Sequence, residues 1–193
     1  MKPEIILIGP IGSGKTTIAE LLSIKTGLPR RSMDELRWKY YDELGYDRDL
    51  ARQKRTEEGF WGLYRYWKPF EAYAVERLLN SCHECIFDLG GGHSVYEDDK
   101  LFQKIYDLFV SYPHVVLLIP SPDKEESIRI LNSRNDYDSD GQREVNEHFV
   151  RHHSNYDLAK HIVYTRDQEP NQICSEIINW VKSKEGLYNK SVR

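Results

Sequence analysis

Cysteine is scarce in this chain: Cys82, Cys85 and Cys174 are the only three among 193 residues. An odd number argues against a disulfide framework. A chain this long buries about 70% of its unfolded surface and folds without one. Nothing at Met1 to Ile8 reads as a leader, because a glycine-rich turn follows at once. The cysteine usage and the missing leader together point to a reducing cytoplasm. Cys82-His83-Glu84-Cys85 has CxxC spacing, but the further ligands of a zinc site and the surroundings of a redox motif are missing. The pair reads as structural, with Cys85 buried. Long apolar runs are absent too, and none approaches the roughly 20 residues of a membrane span. Positive charge is not in excess: 27 basic against 31 acidic residues leave a net charge of −4. That balance argues against a nucleic-acid coat or a membrane-surface protein. Arg52, Lys54 and Arg55 form only a small basic cluster. No internal repeat is visible.

What is present is a regular alternation. Glu4-Ile5-Ile6-Leu7-Ile8 is continuously apolar and β-branched, the pattern of a parallel strand buried on both faces. Three more runs read as strands: Cys85-Ile86-Phe87 ending at Asp88, Val115 to Ile119, and the weaker His161 to Thr165. Helical spacing marks Lys15 to Thr26, closed by Gly27, and then Phe70–Leu79, Lys100–Ser111, Asp123–Leu131, Arg143–Ala159 and Gln172–Lys184. Strands alternating with helices predict a three-layer α/β fold, a parallel sheet flanked by helices, as one domain over 1–193. The tail from Lys184 to Arg193 reads as frayed. Two stretches interrupt the alternation. An aromatic-rich insertion at about 35–70 is open both to acceptor contact and to plain packing. A polar, turn-rich stretch at 132–142, within a region of about 132–150, reads as a mobile lid.

Gly9-Pro10-Ile11-Gly12-Ser13-Gly14-Lys15-Thr16 satisfies G-x-x-x-x-G-K-[ST], after a buried strand and at the start of a helix. Glycines let backbone N–H groups turn toward phosphate oxygens, and the helix N-terminus adds its positive end. Lys15 is expected on the β/γ-phosphates and the Thr16 hydroxyl on magnesium, with Thr17 on the α-phosphate side or capping the helix. The pattern predicts ATP and magnesium as cofactors. No guanine-reading Asn/Thr-Lys-x-Asp motif follows, which disfavours a GTPase.

Asp88 ends a strand beside the phosphate-loop strand, where a carboxylate holds the magnesium shell through water; a turn or capping aspartate is the plainer reading. Asp34, after the first helix and a short extended segment, should face the γ-phosphate and accept an acceptor hydroxyl proton. Its neighbour Glu35 is the alternative, as a helix cap. Arg129, Arg134, Arg143 and Arg151 crowd the predicted lid. Arg134 is the choice to balance charge on the transferring phosphoryl. His93, directly after the glycines, is open to acceptor contact or to a plain loop role. His148 and His152 fall four apart on a predicted helix, a spacing a metal can use.

The phosphate loop, Asp34, Gly90-Gly91-Gly92 and Tyr156-Asp157-Leu158-Ala159 resemble the shikimate kinase family of small-molecule P-loop kinases in order and approximate spacing over nearly the whole chain. The resemblance implies that Asp34, nineteen positions after Lys15, binds the acceptor hydroxyl as candidate base. It implies that the backbone of Gly90, Gly91 and Gly92 lies against the acceptor. Trp67-Lys68-Pro69-Phe70-Glu71 corresponds to the family's aromatic-Arg-x-x-Glu, whose arginine grips the acceptor carboxylate. Arg134 matches the lid arginine on ATP, and Thr165 to Pro170 the adenine loop.

There are departures. Ser32 replaces the first carboxylate of the family's Asp-x-Asp. Asp88 replaces a small residue, as in nucleoside monophosphate kinases. Lys68 replaces the gripping arginine and loses its bidentate fork. His152 replaces a second arginine, with Arg151 one step off, and the lid Arg-Pro is absent. The expectation is an ATP-dependent kinase acting on a hydroxyl of a small molecule other than shikimate. The alternatives are a nucleoside or nucleotide acceptor, or a nucleotide-binding regulatory ATPase.

Overall fold

The computed structural model describes residues 4–137 and 139–191, with side chains through 184. Five parallel strands form one sheet in the order β2-β3-β1-β4-β5: β1 (Ile5–Ile8), β2 (Arg30–Ser32), β3 (Ile86–Asp88), β4 (Val115–Ile119) and β5 (His161–Tyr164). β1 is central, in register with β3 (Ile5 with Ile86) and with β4 (Ile6 with Val115).

Period-two alternation along the strands builds the three layers. Ile6 and Ile8 of β1, Phe87 of β3 and Val115, Leu117 and Ile119 of β4 face one core with Val75, Leu78, Phe109 and Leu158. Ile5, Leu7, Ile86, Val116 and Leu118 face the other, with Ile18, Leu22, Ile173 and Ile177. The second core is covered by α1 (Lys15–Thr26) and α8 (Pro170–Ser191). Each fully buried aliphatic side chain contributes about 1.5–3 kcal/mol.

Several elements differ from the sequence reading. The extended segment before Asp34 is a fifth strand, β2, pairing with β3 from Arg30–Ile86 to Ser32–Asp88. Two arginines in three residues hide it, and its edge position tolerates them. The aromatic insertion is no loop. It is a helical hairpin of α2 (Met33–Glu43) and α3 (Arg48–Leu79). The Asp47 side chain accepts the amides of Asp49 and Leu50 to start α3, which bends at Gly59 (φ 69°, ψ −163°) and carries Pro69 within it.

Packed into the same core as α2 and α3 are α4 (Asp99–Val110), α5 (Lys124–Arg134), α6 (Asp140–Arg151) and α7 (His153–Leu158). The single helix expected over 143–159 is thus two. His152, in extended conformation, ends α6, and its Nδ1 accepts the Ser154 amide at 3.2 Å to cap α7. The stretch read as a lid is helical at both ends: α5 runs to Arg134, where Asn135 Nδ2 donates to Leu131 O (2.8 Å), and α6 starts at Asp140. The tail expected to fray continues α8 to Ser191, and residues 192–193 lie outside the described residues. Cys82 and Cys85, expected as reduced thiols, are joined by a disulfide before β3, and Cys174 is free and buried. No helix among the described residues is long and apolar enough to cross a membrane.

Candidate active site

The turn after β1 is a close fit around its neighbours. Gly9 has φ 141°, and a Cβ there would meet Leu118 O of β4 at 2.3 Å, so the loop can leave the sheet here only with glycine. α1 then starts at Lys15, at the carboxyl end of the central strand, where ligands of open α/β sheets bind. Lys15 is buried. Its Nζ donates to Gly9 O (2.9 Å), Pro10 O (2.8 Å) and Ser13 Oγ (3.4 Å), so the loop wraps its own lysine. Burial lowers the Lys15 pKa to about 8, against the upward pull of the Asp88 and Asp34 carboxylates.

Asp88, at the end of β3, is 4% exposed. Its Oδ2 accepts from Arg30 Nη2 at 3.3 Å, and the Thr16 hydroxyl hydrogen-bonds the carboxylate. Burial raises the Asp88 pKa, with Lys15, Thr16 and Arg30 pulling it back down. The two residues expected around magnesium therefore touch each other.

Asp34 stands in the first turn of α2, carried to this edge by β2. It remains exposed, with Arg37 Nη1 at 3.7 Å. A Cβ at Gly90 would meet His93 Nδ1 at 2.7 Å and Asp34 Oδ1 at 3.1 Å, so base candidate, glycine run and histidine converge. A Cβ at Gly91 would meet Ile11 Cγ1 at 2.5 Å, so the glycine run also interlocks with the phosphate loop.

These groups surround one cavity of about 450 Å³. From the expected set it gathers Ile11, Gly12, Gly14, Lys15, Thr16, Thr17, Asp34, Asp88 and Gly90 to Gly92. Gly9, Pro10 and Ser13 shape the loop behind it. Lys68, Arg134, His152 and Pro170 are not in its lining. Lys68 lies behind the wall: its Nζ donates to Gly92 O (2.9 Å) and Val95 O (3.0 Å) and pairs with the Glu71 carboxylate. Arg134 is exposed in the last turn of α5, which runs past the point expected for a loop. His152 caps α7, and Pro170 opens α8.

The sequence reading missed Arg37, Glu71 and Phe149 in the lining and left His93 open. Arg37 carried a signal, being one helical turn after Asp34. His93 is 2% exposed. Its Nε2 lies 3.3 Å from the Tyr41 hydroxyl, and its Nδ1 has no partner. Burial lowers its pKa, opposed by Glu71 and assisted by Lys68, which keeps it neutral. The aromatic insertion serves both readings. Trp38, Tyr41, Tyr46, Tyr66 and Phe70 pack ring on ring at 5.2–5.8 Å, while Phe60, Tyr64 and Trp67 line the cavity.

α6 closes over the loop. Asn146, 1% exposed, accepts the Ile11 amide at 2.7 Å and donates to Ile11 O at 3.2 Å, and its Nδ2 also reaches the Tyr137 hydroxyl (2.8 Å). Glu97, His148 and His152 bring ligand atoms within 4.8 Å of one another. Within this group His148 Nε2 sits 2.6 Å from Glu97, while the His152 Nδ1 lone pair accepts the Ser154 amide of α7. Of the lid arginines, Arg129 and Arg151 pair with Glu126 and Glu125. In the basic cluster, Arg52 pairs with Asp49 and Lys54 with Glu58.

A phosphate loop on the central strand, an acidic strand end beside it and a second carboxylate across a small cavity define a P-loop kinase of small molecules. The comparisons agree. The shikimate kinase family model matches residues 11–182, and the chain belongs to that family. It is 24% identical over 183 residues to a shikimate kinase of Marinomonas sp. strain MWYL1, covering 93% of this chain and 92% of that one. Among solved structures it resembles shikimate kinase from Acinetobacter baumannii in complex with shikimate (TM-score 0.66, 17% identity, 94% of each chain). It also resembles a deoxyadenosine kinase from M. mycoides (TM-score 0.54, 15% identity, 93% of this chain and 99% of that one). The chain is an ATP-dependent kinase, and the two likenesses of fold span unlike acceptors.

Proposed function

We propose that this kinase moves the γ-phosphoryl group of magnesium-bound ATP to a hydroxyl of a small molecule other than shikimate. The observation that carries the proposal is the single cavity on which Lys15, Asp88 and Asp34 converge. The amides around Gly14 to Thr17 and the N-terminus of α1 hold the phosphates, and Lys15 turns from its loop carbonyls to the β/γ oxygens. Thr16 and Asp88 would hold magnesium, which when bound would neutralise charge on the transferred group. Asp34 orients the acceptor hydroxyl. As the acceptor oxygen bonds phosphorus, the bond from the γ-phosphorus to the bridging oxygen breaks, ADP leaves, and the proton passes to the Asp34 carboxylate. Gly91 and Ile11 hold the acceptor wall against the phosphate loop, and α6 excludes water from above. The cytoplasm, where ATP is supplied, is the place of action.

Shikimate is disfavoured because the ammonium of Lys68 is spent on Gly92, Val95 and Glu71 and because His152 is turned to α7. A nucleoside acceptor is the second reading, favoured by the aromatic lining of Phe60, Tyr64, Trp67 and Phe149. The test is ADP release stimulated by acids, sugars and nucleosides. Stimulation by at least one class supports the proposal. Strong stimulation by shikimate removes the exclusion, and ATP turnover indifferent to every acceptor removes the kinase reading of the cavity.

A further inference from the structure

The cavity contains a cation outside the phosphate loop, one of whose buried donors the fold leaves unfilled. Of the described lysines and arginines in its lining, Lys15 belongs to the phosphates, and Arg37 is the other. Lys68, which stands where an acceptor-gripping arginine was expected, donates to the Gly92 and Val95 carbonyls and is ion-paired with the buried Glu71 carboxylate. It also lies over the Tyr64 ring at 4.1 Å. A buried ammonium so paired, behind the cavity wall, is spent within the protein.

Arg37 is in the opposite condition. Its Nε is buried without a hydrogen-bond partner, and its nearest carboxylate, Asp34, is at 3.7 Å, beyond hydrogen-bond reach. The guanidinium is held against Trp38 at 4.8 Å from the ring centroid. Such a contact fixes a guanidinium while leaving it donors to spend. Across the cavity His93, itself 2% exposed, has its Nδ1 unpartnered near Asp34 and Gly90. Glu71, also in the lining, is ion-paired with Lys68 but its Oε2 makes no hydrogen bond. Buried polar atoms without a hydrogen bond cost about 1–3 kcal/mol each, so the two donors or acceptors on Arg37 and His93 that have no charged partner within hydrogen-bond reach point to a ligand that satisfies them.

We propose that Arg37, rather than Lys68, reads the acceptor, and that the acceptor carries a carboxylate or phosphate group held by the Arg37 fork while Asp34 holds its hydroxyl. The inference rests on the kinase reading above. Arg37 and Asp34 are three apart on α2, which places their Cβ atoms about 5–6 Å apart on one face. The anionic group and the reacting hydroxyl of the acceptor therefore lie on the same side of the molecule, a few bonds apart. Asp34 repels the anion in part, and this limits the anion to the Arg37 side of the cavity.

The test is acceptor-stimulated ADP release with paired probes. Shikimate, gluconate and deoxyadenosine 3′-monophosphate carry the anion, and methyl shikimate, glucose and deoxyadenosine lack it while keeping the primary or ring hydroxyl to be phosphorylated. Wild-type enzyme is expected to prefer the anionic member of its productive pair, and which pair is productive separates carboxylate from phosphate. Arg37→Gln should raise KM for that member about 10- to 100-fold, a larger change than in its kcat, and should raise KM for the neutral member much less. Arg37→Lys should restore part of the loss, as a charge without a fork. A neutral member preferred by wild type, or equal KM changes for both members, overturns the inference and leaves the kinase reading standing. No stimulation by any probe overturns both.

Discussion

The two halves of the cavity are built by opposite means. On the nucleotide side, backbone does the work: glycines, a helix N-terminus and carbonyls that cradle Lys15, all within nine consecutive residues. On the acceptor side, side chains do it, and they come from α2, α3, the glycine run and α6. Backbone geometry of this kind serves any nucleoside triphosphate and tolerates little change. A wall of side chains can be rewritten one residue at a time, and here Lys68 lies behind the wall while Arg37 lines the cavity. One half therefore specifies the reaction class and the other the acceptor.

Substitutions should split along the same line. Asp34→Asn, on the acceptor side, is expected to lower kcat by about 10²–10⁴-fold with ATP binding retained. Stopped-flow or coupled ADP assays check it, and unchanged turnover would remove Asp34 as base. Lys15→Met, on the nucleotide side, should cost about 10²–10³-fold in kcat whatever the acceptor. If its effect depended on acceptor identity, the division into halves would be wrong. Asn146→Ala breaks the joint between them by freeing the Ile11 peptide. The loss of a buried hydrogen-bonding pair predicts about 1–3 kcal/mol lower stability, read by chemical denaturation.

The smallest effect is on pH. Burial opposes it, but hydrogen bonds from His148 and Tyr64 hold Glu97 at about 2, below its usual 4.5. A folded pKa below the unfolded one gives stability that is complete above about 4.5 and lost as pH falls toward 2. Because the Glu97 side chain is 40% exposed, the contribution is about 1 kcal/mol or less after solvent screening. Glu97→Gln should flatten the stability profile between those two pH values, and a profile that keeps its wild-type slope there would contradict the assignment.

How far the chain could be read in advance varied by element. β1 and β4 are continuous apolar runs, and a strand buried on both faces leaves no other pattern. β2 is Arg30-Arg31-Ser32 at a sheet edge, where burial on one side places no apolar demand. The hairpin of α2 and α3 was opaque because Gly59, Gly62 and Pro69 interrupt it and because its aromatic residues divide between two faces. Helix periodicity carries through only when the partner surfaces are known. The break at His152 had no sequence signal, since a histidine side chain capping α7 is decided by what packs beside it.

The linear sequence was enough to determine the phosphate loop, the central strand beneath it and the family, because those depend on neighbours a few residues apart. Only the tertiary structure decided that Lys68 is ion-paired inside, that His152 turns away and that Arg37 and His93 line the cavity with one buried nitrogen of each unpartnered. A charge becomes available to a ligand or is consumed by the protein according to which acceptors surround it. For Lys68 two of these, the Gly92 and Val95 carbonyls, come from a loop more than twenty residues away.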